Sequence, residues 1–131
     1  MRLLVLAPRV ISADDVRAAL PNDDLTGAQV LVVTPAHSES AVAFWIGDVD
    51  QAIADAEGSA QRSAEALREA GARARPAVGD EDPLLALHDA LASYPADRIV
   101  VFDDGLAAEA RERFDIPVTH VIGEAEPVSL D

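Results

Sequence analysis

The stretch IVVFDDGLAAEARERF, from Ile99 to Phe114, carries an apolar, strand-like run into two carboxylates, a glycine and a helical pattern. Asp103 and Asp104 have the chemistry to hold a divalent metal, to accept hydrogen bonds from ribose hydroxyls, or to act as a general base. A metal would need further oxygen or imidazole ligands, and His37 is the nearest suitable residue by topology. The competing reading is architectural: one of the two aspartates caps the helix starting near Leu106 and meets the positive end of its dipole.

Other reactive residue types are scattered. His37-Ser38-Glu39 contains groups used in hydrolysis, but adjacent residues do not point at one another as a triad must. No G-x-S-x-G elbow is present. Phe44-Trp45-Ile46 could pin an aromatic ring, staple a loop, or meet a second subunit. Asp48 with Gln51 then forms a capping-box pattern. His88 shares a helical face with Leu84 and Leu91, which predicts a partly buried structural histidine. His120 lies inside a strand pattern, where a surface or interface role fits better than ligation. Asp80, Glu81 and Asp82 supply turn and cap chemistry.

The elements that position these groups alternate regularly. Apolar, β-branched runs at Arg2–Ala7, Gln29–Thr34, Arg98–Phe102 and Val118–Ile122 predict strands. Arg73–Val78 is a further strand, and Pro76 assigns it to an edge because proline cannot donate to a central ladder. Helices are predicted over Ser12–Leu20, capped by Ser12 with Asp15 and stopped by Pro21, and over Val49–Ala70. In the latter Ile53, Ala56, Ala60, Ala64 and Leu67 form one face, Gly58 interrupts, and Gly71 closes. Further helices span Pro83–Ser93, with Asp82 as cap, and Leu106–Phe114, where Glu109 and Arg113 are spaced for an ion pair. Strands separated by helices imply right-handed crossovers and a parallel sheet covered on both faces. Residues 1–123 read as one α/β domain and 124–131 as an acidic, mobile tail. Pro35–Gly47 is long for a loop in such a fold.

In an open sheet of this kind, ligands sit beyond the carboxyl ends of the strands where the winding reverses. That rule selects Arg9, Thr34, His37, Asp103, Asp104 and Gly105 as the candidate crevice. Arg9 either grips a carboxylate or phosphate bidentately or pairs with Asp103 or Asp104 and fills the space. No catalytic residue and no metal site is assigned, and no cofactor is expected.

Composition narrows the partners. The 131 residues carry a net charge of −14, which argues against nucleic acid and anionic membrane surfaces. All ten strong bases are arginine. Without lysine the chain cannot form a Walker A loop, a Schiff base or a two-component receiver site. Without cysteine there is no disulfide, thiolate nucleophile or cysteine-based zinc site. No apolar run approaches the roughly 20 residues of a membrane span, and no secretion signal is evident, so a cytoplasmic location is expected.

The order of elements, the motif G-D-x-D-P-L (Gly79–Leu84) before the third helix, A-D-R-I-V-V entering the fourth strand and the ending E-A-R-E-R-F-D-I-P-V-T-H-V-I together resemble the universal stress protein family. The resemblance covers nearly the whole chain. It implies a three-layer, doubly wound α/β fold of five parallel strands in the order 3-2-1-4-5, and commonly a homodimer. In many relatives the last strand pairs across that dimer, which makes Phe114, Val118, His120, Val121 and Ile122 interface candidates. Two departures stand out. ATP-binding members have an aspartate at the end of strand one, where this chain reads Leu6-Ala7-Pro8. They also carry G-x2-G-x9-G-[ST] after strand four, where this chain passes through Asp103-Asp104-Gly105 directly into a helix. One glycine cannot make a phosphate cradle of converging amides, and the carboxylates repel a triphosphate. The implied function is a dimeric binding or scaffold module without catalysis and without ATP. The alternative is a small metal-assisted enzyme, or a sensor of a nucleoside or metabolite.

Overall fold

The computed structural model describes residues 1–20, 25–36, 49–102 and 106–121, with the backbone alone at 49–52. Five strands, β1 (Arg2–Leu6), β2 (Gln29–Pro35), β3 (Arg73–Gly79), β4 (Arg98–Val101) and β5 (Val118–His120), alternate with four helices. These are α1 (Ala13–Ala19), α2 (Val49–Glu69), α3 (Pro83–Ser93) and α4 (Ala107–Arg113). All pairings are parallel and the order is β3-β2-β1-β4-β5.

The strand sequences explain the layering. RLLVL and QVLVVTP are apolar at nearly every position, as strands buried on both faces must be. Leu3 and Val5 face one core with Val16 of α1 and Ala64 and Leu67 of α2. Leu4 and Leu6 face the other, with Leu84 and Leu87 of α3 and Ala107 and Ala110 of α4. Two helices per face follow from the order: the chain winds outward from β1 to β3, returns to β4, and winds the other way with crossovers of the same hand.

Local signals set the helix ends. Ser12 accepts from the Asp15 amide and Asp15 answers by accepting from the Ser12 amide, a complete capping box. Asp82 caps α3 ahead of Pro83. Helix α2 runs through Gly58 without a break and closes at Gly71. There the Ala72 amide donates to Leu67 O (3.1 Å) and the Gly71 amide to Arg68 O (3.0 Å), with Gly71 at φ +100°, a conformation that favours glycine.

Both outer strands carry a matching device. Arg68, near the end of α2, donates Nε to Ala74 O at 2.8 Å, and Arg111 of α4 donates Nε to Val118 O at 3.2 Å. Each capped carbonyl faces away from the sheet. Pro76 obeys the same geometry. Arg73 and Gly79 bond inward toward β2, so alternation turns the donor that Pro76 lacks toward the outside.

Three expectations need correction. Ile53 does not join the buried face of α2; it is 38% exposed, whereas Ala56, Ala60, Ala64 and Leu67 are buried. A 21-residue helix is about 31 Å long and the 7-residue β3 about 23 Å, so the helix overhangs the sheet at its amino end. His88 is exposed rather than partly buried, with its ring 3.6 Å from the Asp89 carboxylate. Glu109 and Arg113 do not close an ion pair; both project into water, where such a pair contributes only tenths of a kcal/mol. Leu106 stands at the N-cap position of α4 and makes no side-chain cap hydrogen bond, and the cap expected of Asp103 or Asp104 lies outside the described residues. The Asp48–Gln51 capping box, the stop at Pro21, Trp45 with its neighbours and the 124–131 tail lie outside the described residues.

Candidate functional site

The winding reverses between β1 and β4, so the carboxyl ends of these two strands flank the first candidate site. Ladder bonds continue just past the strands: the Ala7 amide donates to Val33 O at 2.9 Å and the Phe102 amide to Leu6 O at 3.0 Å. Ala7 and Phe102 are both buried. The loop that follows β1 is fixed from below. The Ile11 amide donates to the hydroxyl of Ser63, a fully buried residue of α2, at 3.0 Å. Arg9 rides on this loop, half-buried and already engaged within the chain.

Thr34, at the end of β2, is 2% exposed, and its hydroxyl has no hydrogen-bond partner among the described residues. At the end of β3, Gly79 is a packing requirement. A Cβ there would stand 2.6 Å from Ala86 Cβ and 2.8 Å from Val33 Cγ1. The acidic turn behind it is consumed by the main chain: Asp80 accepts from the Asp82 amide (2.9 Å) and Asp82 from the Leu84 amide (3.1 Å). The turn and cap roles expected of Asp80 and Asp82 are therefore realised. His37, Asp103, Asp104 and Gly105 lie outside the described residues. Among the described residues, no group of three or more His, Cys, Asp or Glu could hold a metal ion.

The proposed interface residues do not form one patch. Phe114 and Val118 pack into the core beneath α3 and α4, and Val121 packs against the opposite core. His120 is half-buried, and Ile122 lies outside the described residues. What β5 presents outward is mainly its edge.

A second concavity was not anticipated. It lies at the amino ends of β2 and β3, has a volume of about 490 Å³, and is lined by Gln29, Val30, Arg68, Arg73, Ala74, Arg75 and Tyr94. Arg73 and Arg75 alternate along β3 and so share a face. The Arg75 guanidinium carbon lies 6.0 Å from the centroid of the Tyr94 ring. Tyr94 is 7% exposed, and its hydroxyl comes close to the Leu3 main chain without forming a hydrogen bond of normal geometry. Burial raises the Tyr94 pKa, and the nearby Arg75 and Arg2 guanidiniums oppose that rise. The one available signal, R-x-R at Arg73–Arg75, reads in sequence only as a strand broken by proline.

A scan of protein-family models returns no match, and a search of curated proteins returns none either. Solved structures do match. A universal stress protein family protein from Arabidopsis thaliana, solved with AMP bound, superposes with a TM-score of 0.67 at 15% identity, covering 97% of this chain and 95% of that one. A protein of the same family from Burkholderia pseudomallei gives 0.60 at 16% identity, covering 92% and 94%. A hypothetical protein gives 0.57 at 13%, covering 95% and 98%. The chain therefore has the universal stress protein fold.

Proposed function

We propose that the chain is a cytoplasmic, dimeric binding or scaffold module on this fold, with no catalytic step and no ATP at its strand-end crevice. The observation that carries this reading is the short stretch of sequence between β4 and α4. Residues 102–106 join Val101 to Ala107, and Gly105 is the one glycine among them. A polyphosphate cradle needs several glycine-rich positions whose successive amides converge, which a connection of this length with one glycine does not offer, and Asp103 and Asp104 add repulsion. On the facing wall β1 runs into Ala7 and Pro8, with no carboxylate before Arg9. The Arabidopsis structure contains AMP; the residues here do not suit the phosphates of such a ligand.

Calorimetric titration with ATP and with AMP tests this directly. The expected result is no binding tighter than about 1 mM. A dissociation constant in the low micromolar range would overturn the reading. β5 is an outer strand, so pairing between two copies would extend the sheet once Arg111 releases Val118 O. Light scattering should give about twice the chain mass of 13.8 kDa; monomer alone at high concentration would count against it.

A second reading, a sensor of a nucleoside or small uncharged metabolite, is favoured by the unpartnered Thr34 hydroxyl. A buried hydroxyl left unbonded costs about 1–3 kcal/mol, which a hydrogen-bonding ligand would recover. Fluorescence of the single tryptophan across a metabolite panel tests it. The metal-assisted enzyme based on His37, Asp103 and Asp104 is tested by metal analysis of protein purified without chelator.

A further inference from the structure

Carboxylates outnumber arginines 24 to 10 in this chain, so three arginines lining one concavity make a local positive patch on an acidic protein. Arg68, Arg73 and Arg75 all line the amino-end concavity, and none forms an ion pair with a carboxylate among the described residues. Asp97, which acts electrostatically on Tyr94, accepts a hydrogen bond from the Arg2 main-chain amide at 2.8 Å.

Two of the three cationic groups are also anchored. Arg68 is fixed through Nε to Ala74 O, which leaves both of its terminal nitrogens as donors. Arg75 lies over the clamped Tyr94 ring, so its in-plane N–H groups remain available. Register puts Arg2, Gln29 and Arg73 in one row across three strands. In that row Arg2 Nε donates to Gln29 Oε1 at 3.4 Å, turning the Gln29 amide nitrogen into a further donor. Tyr94 borders the concavity, with its hydroxyl buried.

We propose that this concavity binds a small polyvalent oxyanion, a phosphate ester or a polycarboxylate, gripped by Arg68, Arg73 and Arg75. A volume near 490 Å³ falls within the roughly 300–1,000 Å³ of small-molecule sites. Planar guanidinium forks match carboxylate and phosphate oxygens two at a time, and three of them exceed what one monovalent anion can occupy. The net charge of −14 repels anions at long range, so binding depends on this local convergence. The site lies at the opposite end of the strands from the β1/β4 crevice and does not depend on what that crevice holds.

The test titrates the full chain separately with pyrophosphate and with citrate, following arginine Nε–Hε resonances by NMR and heat by calorimetry. At least one probe should bind with a dissociation constant below about 1 mM. Arg73→Gln and Arg75→Gln should each weaken it about tenfold or more, because each removes a charged fork. Arg113→Gln, the same change of charge at an exposed position on α4, should alter it by less than about twofold. Preference for pyrophosphate identifies a phosphate ester, and preference for citrate a polycarboxylate. If neither probe binds, or if all three variants weaken binding alike, the proposal is wrong.

Discussion

The amide of Ile11 donates to the hydroxyl of Ser63 at 3.0 Å, joining the loop after β1 to the middle of α2 across 52 residues of sequence. Both residues are buried, so no water can replace the hydroxyl. Ser63→Ala strands a buried N–H and should cost about 1–3 kcal/mol in urea denaturation. Ser93→Ala, which removes an exposed hydroxyl with a marginal 3.5 Å contact, should be close to neutral. Equal losses in the two variants would show that the bridge contributes nothing specific.

Gly79 is tested by the methyl group it lacks. With Ala86 Cβ at 2.6 Å and Val33 Cγ1 at 2.8 Å from the added atom, Gly79→Ala must push α3 away from the sheet. Overpacking of this kind costs about 1–3 kcal/mol. Ala86→Gly alone should cost about 1 kcal/mol through helix propensity, yet the double variant should be more stable than the sum of the two losses predicts. Strict additivity in that cycle would mean the two positions do not touch.

Tyr94 gives an unusually clean pH prediction. The chain has one tyrosine and neither lysine nor cysteine, so it is the one side chain that titrates between neutrality and the arginines. Its folded pKa lies above the ordinary 10.0, first because burial disfavours the phenolate. The folded state therefore holds the proton more tightly than the unfolded state does. Its contribution to stability is complete below pH 10 and is lost as pH rises through the folded value. Tyr94→Phe should abolish that alkaline decline. At neutral pH it should change stability by less than about 1 kcal/mol, because the hydroxyl it removes is already unpartnered. Ultraviolet titration of the single phenol checks the direction; a midpoint at or below 10 would contradict it.

Much of the architecture was legible because it is written in short-range patterns. Apolar runs marked every strand to within two residues, Ser12-x-x-Asp15 marked a capping box, and Pro76 correctly assigned β3 to an edge. Features that depend on comparison between elements were not legible. The exposure of Ile53 follows from α2 being longer than the strands beneath it, and that of His88 from the buried face of α3 being centred on Leu84, Ala86 and Leu87. For the strand-end crevice, the pattern placed Thr34 near the end of β2 and Arg9 in the loop after β1, but was silent on the Ser63 bridge, whose partners are far apart in sequence. The arginine-lined concavity was invisible for the same reason. Arg2, Gln29 and Arg73 become neighbours only when three strands take their register.

The guanidinium groups parked on Ala74 O and Val118 O have one more implication. Any additional strand arriving at either margin of the sheet must first evict an arginine from the acceptor it needs. Filament growth by repeated edge addition meets that obstacle at both ends, so substituting alanine for Arg68 and Arg111 together should render an otherwise well-behaved chain prone to fibrils.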